Sequence, residues 1–414
     1  MNGLDLVYIL GGALTAPVWA RKRREGWGER FGKIEPTRHA AGSSGRPRVL
    51  VHAVSVGEVN ALRPLTPLLV ERADVIVSTT TDTGLARARA LFSDSCEVVR
   101  YPLDFSWAVR RFLDATRPDV VGLVELELWP NFVRACRARG IAVGVINGRL
   151  SARSYRGYRR LRRGLGWMFR ALEFAAVQDE AYAQRFIEMG VSPERLRVTG
   201  SMKWDSWDVS GEAEASAEAV ALREAMGIDP GRPLIVGGST GPGEEALLRQ
   251  ACPPGAQLAC APRKPERFEE AARALAPCAR RSSGRAEAGD RYLLDTIGEL
   301  GLLYQLADVA VVGRSFGDQH GSDPIEPVAQ GAATLIGPRH EDFETIVEAL
   351  SSGGGIEVVS GEALGARLAA LLADPEARAG LARRGRAEIA RRQGAARAHA
   401  GLLLGVCGGR GKSF

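Results

Sequence analysis

The sequence predicts an α/β protein made of two doubly wound domains with parallel sheets. Short apolar runs alternate with helical segments along almost the whole chain, and a Ser-, Glu- and Ala-rich stretch at 206–230 interrupts this pattern once. The length of 414 residues also favours two domains over one. Ligands of open α/β sheets bind beyond the carboxyl ends of the strands, so we expect functional loops there, facing a cleft between the domains.

The first half, residues 25–205, reads as one such domain. Residues 48–55 (RVLVHAVS) predict a buried strand followed by a helix, and residues 74–81 (DVIVSTTT) predict the next strand, followed by a helix over 83–92. Further strands of this domain are predicted at 119–126, 141–149, 174–179 and 196–201.

After the interruption, which we interpret as a linker, residues 231–390 predict the second domain. Its strands are predicted at 234–240, 257–263, 292–295, 308–313 and 333–337, with a helix from about residue 243. Helices from about residue 361 to 405 end the chain, so that 391–414 holds the end of a helix and a tail.

Composition narrows the classes of function. The net charge of +6 comes mainly from arginine and favours anionic partners such as phosphates, nucleic acid or lipid headgroups. The six cysteines are irregularly spaced without a C-x-x-C pair, which argues against a zinc site or a disulfide framework and favours a reducing compartment. Neither G-x-S-x-G nor H-E-x-x-H occurs, so hydrolase and metalloprotease interpretations lack support.

The N-terminus carries an apolar run. Residues 4–20 are apolar apart from Asp5, and the basic cluster RKRR follows at 21–24. The run is shorter than the ~20 residues of a usual spanning helix, and a signal peptide would have its positive charge before the run. We therefore predict that residues 1–24 anchor the chain to a membrane, with the basic cluster on the cytoplasmic side. A first core helix is the alternative.

Two acidic motifs follow predicted strands. Glu58 stands at a helix start in VHAVSVGEV, where an acid ordinarily complements the helix dipole. Glu125 and Glu127 lie in VELELWPN, and alternate strand residues share a face. These two carboxylates either bond neighbouring backbone or form a pair that holds a proton at raised pKa.

Three further segments are suited to anions or sugars. Residues 147–164 carry seven arginines and no acid, which is typical of a solvated helix face or of a site for a phosphorylated lipid or nucleic acid. The loop GGSTGPGEE at 237–245 leads from a strand to a helix, a geometry that binds phosphate. Glu326, between two prolines, is suited to accept from ribose hydroxyls or to start a helix.

In combination and order, these motifs resemble the 3-deoxy-D-manno-octulosonic acid (Kdo) transferases of lipopolysaccharide synthesis. The similarity covers roughly residues 25–350. The matching segments are HAVSVGE (family H-A-x-S-x-G-E), ELELWPN (E-T-E-L-W-P-N), NGRLSARS (N-x-R-L-S-x-x-S), GSMKWD (G-N-x-K-F-D), APRKPERF (P-R-H-P-E-R-F), DTIGEL with Tyr304, and DPIEP.

The resemblance implies a GT-B fold, with two Rossmann-like domains that bind the acceptor on the N-terminal side and CMP-Kdo on the C-terminal side. It implies inverting transfer of Kdo to a lipid A precursor, lipid IVA, at the cytoplasmic face of the inner membrane, without a metal or cofactor. Glu58 would be the general base, supported by Glu127 and Glu125. The implied donor-binding residues are Ser239, Thr240, Arg263, Gly298, Glu299, Leu300, Asp323 and Glu326, and the implied acceptor-binding residues are Ser55, Arg149, Ser151, Arg153 and Lys203.

The sequence departs from the family pattern in the donor half. Ser322 and Asp323 replace His and Asn of G-H-N-P-L-E-P, Lys264 replaces the His of P-R-H-P, and Arg314 replaces the second Gly of G-G-S. Asp323 beside a phosphate would be repulsive, so we expect Lys264 or Arg314 to compensate its charge.

Two alternatives remain open at this point. A related GT-B transferase would use another nucleotide sugar or acceptor, and a non-catalytic membrane protein would only bind anionic lipids. We expect no nucleic-acid partner, because the basic residues accompany an apolar anchor and no known nucleic-acid module is recognisable.

Overall fold

Two compact units make up the chain in the computed structural model, which describes residues 1–20, 25–35, 45–284 and 289–409. Unit 1 contains Met1–Ser206 and Gln393–Phe414, and unit 2 contains Trp207–Arg392. Each unit holds a seven-stranded sheet whose described pairings are parallel, so the predicted doubly wound α/β class is confirmed. The basic cluster at 21–24 lies outside the described residues.

Seven strands form the sheet of unit 1. They are β1 (Arg48–His52), β2 (Asp74–Thr79), β3 (Glu97–Arg100), β4 (Val120–Val124), β5 (Ala142–Gly148), β6 (Phe174–Val177) and β7 (Leu196–Val198). Their spatial order is β3-β2-β1-β4-β5-β6-β7. The central strands are buried along their whole length, as expected of a parallel sheet with helices on both faces.

Helices cover both faces of this sheet. They are α1 (Gly3–Ala20), α2 (Trp27–Arg30), α3 (Val56–Ala61), α4 (Leu65–Val70), α5 (Asp82–Phe92), α6 (Ser106–Thr116), α7 (Pro130–Ala138), α8 (Ala152–Arg160), α9 (Arg162–Arg170) and α10 (Glu180–Met189). Alternation along β1 divides the core, because Val49 and Val51 join one apolar cluster and Leu50 joins the other.

The sheet of unit 2 repeats the plan. Its strands are β8 (Leu234–Thr240), β9 (Gln257–Pro262), β10 (Ala279–Arg280), β11 (Arg291–Leu293), β12 (Val309–Val312), β13 (Ala333–Ile336) and β14 (Ile356–Val358), in the spatial order β10-β11-β9-β8-β12-β13-β14. Its helices are α11 (Ala217–Met226), α12 (Glu244–Ala251), α13 (Phe268–Leu275), α14 (Leu300–Gln305), α15 (Ile325–Ala329), α16 (Glu344–Ser352), α17 (Leu364–Ala373) and α18 (Pro375–Arg392).

The last helix, α19 (Ala395–Gly409), belongs to unit 1. It packs against α4, β4 and β5, and its Ala395, Ala396, Ala400 and Leu403 join the same apolar cluster as Val49. Leu403 lies so close to Gly122 of β4 that a Cβ there would be 3.1 Å from its Cδ2 atom. A helix from the far end of the sequence therefore covers part of the sheet of unit 1.

Three edge strands fall outside the predicted set, namely β3, β10 and β14. Each is short and only partly buried, so its sequence lacks the continuous apolar run that marks the central strands.

Candidate functional site

Unit 1 has a topological switch point between two adjacent strands, after which the chain continues to opposite sides of the sheet. β1 lies beside β4, with Val49 opposite Val120, but the chain continues from β1 towards β2 and from β4 towards β5. Such a switch point opens a crevice at the carboxyl ends of the strands. Glu58 follows β1, and Glu125 and Glu127 follow β4, so the predicted acids lie at this point; we call these three residues the acid cluster.

A reciprocal cap fixes Glu58. Ser55 is the N-cap of α3, and its hydroxyl oxygen accepts from the Glu58 N–H at 3.4 Å. In return the Glu58 carboxylate accepts from the Val54 N–H at 2.8 Å and the Ser55 hydroxyl at 2.9 Å. This is the pairing that the pattern S-x-x-E favours at a helix start. The hydroxyl of Ser55, predicted to contact the acceptor, is thus engaged with Glu58.

The other two acids lie in a loop. β4 ends at Val124, and Glu125 has a left-handed backbone with φ of 59°, so the expectation that both carboxylates project from one face of a strand is wrong. The Glu125 N–H donates to the Ile146 carbonyl at 3.0 Å, and the indole N–H of Trp129 donates to Glu127 at 2.9 Å. These bonds hold the loop against β5 and against the start of α7.

Charge interactions within the acid cluster affect the pKa values of Glu58 and Glu127. Burial raises the pKa of Glu127 to about 7, assisted by the charges of Glu58 and Glu125. Burial also raises the pKa of Glu58, and the charge of Glu125 adds to it. Half-buried acids that repel one another retain protons more readily and, once ionised, are stronger bases. The acid cluster is suited to proton transfer near neutral pH.

The arginine-rich stretch forms α8 and α9, and α8 lies next to the acid cluster. Ser151 is the N-cap of α8 and accepts from the Ser154 N–H at 3.2 Å. Burial and then the charge of Glu127 raise the pKa of Tyr158. The Tyr158 side of α8 therefore lies within the electrostatic influence of the acid cluster. The sequence interpretation missed one acid here: Glu188 of α10 bonds the Tyr155 hydroxyl and is attracted by Arg159 and Arg162. The exposed arginines of the stretch include Arg149, Arg153, Arg156, Arg160 and Arg163.

A buried histidine ties the loops that carry the predicted acceptor residues. His399 of α19 is fully buried, and its Nε2 atom accepts from the Asn147 N–H at 3.3 Å and bonds the Thr199 hydroxyl at 2.9 Å. Asn147 in turn accepts from the Met202 N–H at 3.0 Å. Arg149 lies two residues after Asn147, and Lys203 directly follows Met202, so these bonds hold the loops after β5 and β7 in register. No local pattern marks His399, because its partners lie about half the chain away.

The switch point of unit 2 lies between β8 and β12, where Ile235 is opposite Val309. The loop after β8 carries Ser239, whose φ of 55° is left-handed, and the Gly313 N–H donates to the Gly238 carbonyl at 2.8 Å. Position 238 requires glycine because the Tyr304 side chain packs directly against it, and a Cβ there would lie 1.7 Å from the Tyr304 hydroxyl oxygen.

Two buried acids brace this loop. The Glu244 carboxylate accepts from four backbone amides, which are those of Gly241 (2.6 Å), Arg314 (2.6 Å), Ser315 (2.9 Å) and Phe316 (3.0 Å). Glu245 pairs with Arg267 at 2.8 Å and accepts from the Thr240 hydroxyl at 2.6 Å. Thr240 is fully buried with its hydroxyl on Glu245, and its predicted contact with the donor stays a prediction. Its role is to join the loop to Glu245.

Three of the predicted donor residues lie near Tyr304. Burial raises its pKa strongly; the charges of Glu326 and Asp323 add to this and that of Arg263 opposes it, so all three lie near its hydroxyl. Glu326 stands in the first turn of α15, and its Oε1 atom is so close to Gly301 that a Cβ there would be 2.9 Å away.

Gly298, Glu299 and Leu300 form the turn that begins α14, and the Glu299 carboxylate pairs with Arg281 at 3.0 Å.

The residues that depart from the family pattern have the following surroundings. The Arg314 guanidinium donates to the Gln319 carbonyl at 3.0 Å, the Asp323 carboxylate accepts from the Ile325 N–H at 3.0 Å, and Ser322 is buried. Lys264 is exposed before a turn. Compensation of Asp323 by Lys264 or Arg314 stays a prediction.

The N-terminal apolar run is a helix with two different faces. Asp5 is fully buried against unit 1, while Leu6, Val7, Ile9 and Leu10 are exposed by 56%, 60%, 44% and 66%. Tyr8 packs edge-on against Phe105 on the inner side, with ring centroids 6.0 Å apart. Within the described ranges, no helix combines the length and apolarity needed to cross a bilayer.

The same ranges contain no group of three or more His, Cys, Asp or Glu arranged to hold a metal ion.

Comparison with known proteins identifies relatives over most of the chain. A family model described as 3-deoxy-D-manno-octulosonic-acid transferase (kdotransferase) matches residues 25–206. A 3-deoxy-D-manno-octulosonic acid transferase of Bordetella pertussis is 33% identical and covers 94% of this chain and 96% of its own. The enzyme of the same name from Haemophilus influenzae is 31% identical, with 84% of each chain covered.

Solved structures bear on the fold alone, because their identity to this chain is low. The crystal structure of a glycosyltransferase from Rickettsia africae aligns with a TM-score of 0.61 at 10% identity, covering 87% of this chain and 99% of that one. The Anabaena HepE structure in complex with UDP aligns with a TM-score of 0.59 at 13% identity, covering 87% and 98%. These likenesses confirm the GT-B fold.

Proposed function

The chain belongs to the 3-deoxy-D-manno-octulosonic acid (Kdo) transferase family, and from that premise we propose that it transfers Kdo from CMP-Kdo to lipid IVA with Glu58 as general base. Membership makes the protein a glycosyltransferase of lipopolysaccharide synthesis. The acceptor, the inverting course and the role of Glu58 belong to the proposal. The observation that carries it is the acid cluster at the switch point of unit 1.

The proposed chemistry needs one base. The acceptor hydroxyl attacks the anomeric carbon of Kdo as the bond from that carbon to the CMP phosphate oxygen breaks, and CMP leaves with the bonding electron pair. The hydroxyl proton passes to Glu58, whose raised pKa suits it to accept that proton at neutral pH. Attack from the face opposite CMP inverts the configuration at the anomeric carbon.

Glu127 and Glu125 act through charge and orientation. With a pKa of about 7, Glu127 is partly protonated at neutral pH, so it can donate to a sugar oxygen while Glu58 accepts. The bond from Trp129 fixes its direction. Glu125 keeps the field of the site negative, which stabilises positive charge that develops on the sugar ring at the transition state.

The acceptor is proposed to bind along α8 and the loops that precede it. A lipid A precursor carries phosphates, which match the exposed guanidinium groups of Arg149 and Arg153 and the ammonium group of Lys203. Ser151 would act mainly through the backbone of the N-cap, since its hydroxyl accepts within α8. Ser55 would act through Glu58, to which its hydroxyl donates.

The donor is proposed to bind at the switch point of unit 2. Arg263 and Ser239 are suited to the phosphate, and Glu326 to the ribose hydroxyls. The backbone from Gly298 to Leu300 is proposed to lie near the cytosine. Asp323 contributes to donor choice, because its charge disfavours a phosphate that approaches without a cation.

Membrane attachment is proposed to occur through α1 at the cytoplasmic face of the inner membrane. The exposed Leu6, Val7, Ile9 and Leu10 form an apolar face suited to monotopic insertion. We propose residues 1–24 as the anchoring segment, 25–205 and 231–390 as the acceptor and donor domains, and 206–230 as the linker. Of the predicted C-terminal segment 391–414, residues 393–414 belong to unit 1 and are proposed to complete the acceptor side.

Mass spectrometry of lipid IVA incubated with CMP-Kdo and purified protein tests the proposal. The expected product is lipid IVA with one or more Kdo residues added, and Glu58→Gln should abolish it while donor binding persists. UDP- and GDP-sugars in parallel reactions test the alternative of another donor. Absence of any transfer, with lipid binding intact, would support a non-catalytic lipid-binding protein instead.

A further inference from the structure

Helix α1 reaches the loop of the acid cluster through a buried polar network. Asp5 accepts from the N–H of Ser106 at 2.8 Å and from its hydroxyl at 2.6 Å, and so caps the first turn of α6. Asp104 caps α7 in the same way, accepting from the N–H groups of Asn131 at 3.0 Å and Phe132 at 2.8 Å. Two helices on the edge of the site thus begin on buried carboxylates.

Asn131 joins the two caps to each other. Its side-chain amide donates to the Asp104 carbonyl at 2.6 Å and to Asp5 at 3.2 Å, and its amide oxygen accepts from the Asn2 side chain at 2.8 Å. The Tyr8 hydroxyl adds a bond to Asp104 at 2.9 Å. Asn2, which precedes α1, and Asp5 and Tyr8 of α1 therefore supply three of the partners that hold the start of α7. Unmet buried polar groups are costly, so these bonds fix one arrangement.

The loop that carries Glu127 leads directly into Asn131. Trp129, whose indole donates to Glu127 at 2.9 Å, is separated from Asn131 only by Pro130, whose ring fixes the backbone angle φ. A displacement of Asn131 is therefore transmitted to Trp129 and from there to the carboxylate of Glu127.

We propose that Asp5 and Tyr8 of α1, acting through Asn131, are positioning residues of the transfer site. The N-terminal helix then has two functions on two faces: its outer face attaches to the membrane, and its inner face holds the Glu127 loop in place. This inference rests on the proposed Kdo transfer for its kinetic consequence, but its structural consequence is independent of the activity.

Conservative variants separate the two functions of α1. Asp5→Asn and Tyr8→Phe leave the apolar outer face intact, and Asp114→Asn, which alters an exposed ion pair with Arg139 in the same unit, is the matched control. Initial rates with CMP-Kdo and lipid IVA in detergent remove the need for membrane attachment. Binding to phospholipid vesicles and hydrogen–deuterium exchange of residues 125–131 are measured on the same proteins.

We expect Asp5→Asn to lower kcat roughly fivefold and Tyr8→Phe roughly threefold, the effect of about one buried hydrogen bond. Exchange in the 125–131 loop should be faster in both variants, while KM for CMP-Kdo, vesicle binding and all properties of Asp114→Asn stay unchanged. If Asp5→Asn folds poorly, Tyr8→Phe alone decides, because it removes a single hydroxyl group.

Wild-type kcat together with unchanged loop exchange in Tyr8→Phe would overturn the inference. A lower kcat without faster exchange would overturn it too, since the loop would not be the intermediary. An inactive wild-type protein would instead contradict the proposed function, and the exchange comparison would still decide whether α1 holds the loop.

Discussion

The two units present the same topology and use their acids in opposite ways. In both, glutamates follow the strands on either side of the switch point, in the loops or in the helices that come next. In unit 2 the Glu244 carboxylate accepts from four backbone amides and lies buried. In unit 1 Glu58 accepts from one amide and one hydroxyl, and Glu127 accepts from one indole. A carboxylate saturated with donors holds a loop, whereas an undersaturated one keeps the capacity to bind a proton.

This contrast explains why residue type alone is a poor guide to function. Glu244 and Glu245 begin α12 directly after a Gly-rich loop that resembles a phosphate site, yet both carboxylates stabilise the structure of that loop. Glu58 looks like an ordinary helix-start acid and does cap α3, yet burial and its acidic neighbour leave its pKa raised. The number of donors around each carboxylate distinguishes the two roles.

The largest effect should come from Glu58→Gln. The amide still accepts from the Val54 N–H but cannot take a proton, so kcat should fall by about 10²–10⁴, the range of general-base contributions. Initial rates of Kdo transfer measure this, with Glu71→Gln on the surface of unit 1 as control. Retention of more than a tenth of the activity would show that another group is the base.

The next effect should come from Glu244→Gln in unit 2. Replacing the carboxylate removes charge-assisted bonds from four amides and turns an NH2 group towards N–H donors, which should destabilise unit 2 by about 2–3 kcal/mol. Urea unfolding followed by unit-specific hydrogen exchange measures the loss, and exposed Glu348→Gln should show none. A fully stable Glu244→Gln protein would contradict the assignment of Glu244 to architecture.

A smaller effect is expected from His399, which ties α19 to the loops of unit 1. Burial lowers the pKa of His399 to about 4, so the folded protein keeps it neutral. Below the ordinary pKa near 6.5 the unfolded chain gains a proton that the folded one refuses, and stability is lost as pH falls towards 4. His399→Gln should lessen this loss, and His399→Phe should cost about 1–2 kcal/mol at pH 7.5 and raise KM for the acceptor.

Urea unfolding of both His399 variants and wild type between pH 4.5 and 7.5 makes the comparison. An identical pH dependence in the wild type and His399→Gln would exclude His399 as the source of the acid sensitivity. An unchanged acceptor KM in His399→Phe would mean that the loops keep their register without it.

The smallest expected effect concerns the direction in which folding stability changes with pH because of Glu127. The pKa of Glu127 is raised to about 7, so the folded state keeps a proton that the unfolded state releases above about 4.5. The stability that this group contributes is present below pH 4.5 and is lost as pH rises to 7. Glu127→Gln should flatten this slope, and Glu244→Asp should not. An unaltered slope would place the carboxylate of Glu127 in a more solvated setting than its burial indicates.

Much of this could be predicted from local sequence patterns. Apolar runs give the central strands, and the S-x-x-E pattern of Ser55 and Glu58 marks the start of α3 because a cap needs only neighbours in sequence. The pairing of Thr240 with Glu245 and the link from His399 to Asn147 could not be predicted in this way. They depend on where a side chain points after the fold has closed, and in the second case on residues that are distant in the chain.

The return of α19 to unit 1 has a consequence for biosynthesis. The first sheet to leave the ribosome keeps the part of one apolar face that lies over β4 and β5 open until this helix is made, whereas the continuous segment Trp207–Arg392 can close by itself. At ~10 residues per second the delay between β1 and α19 is on the order of half a minute. During that time the apolar surface around Gly122 on β4 and β5 is exposed to chaperones or to wrong partners. The attachment of α1 to a membrane that we propose can therefore precede the completion of unit 1.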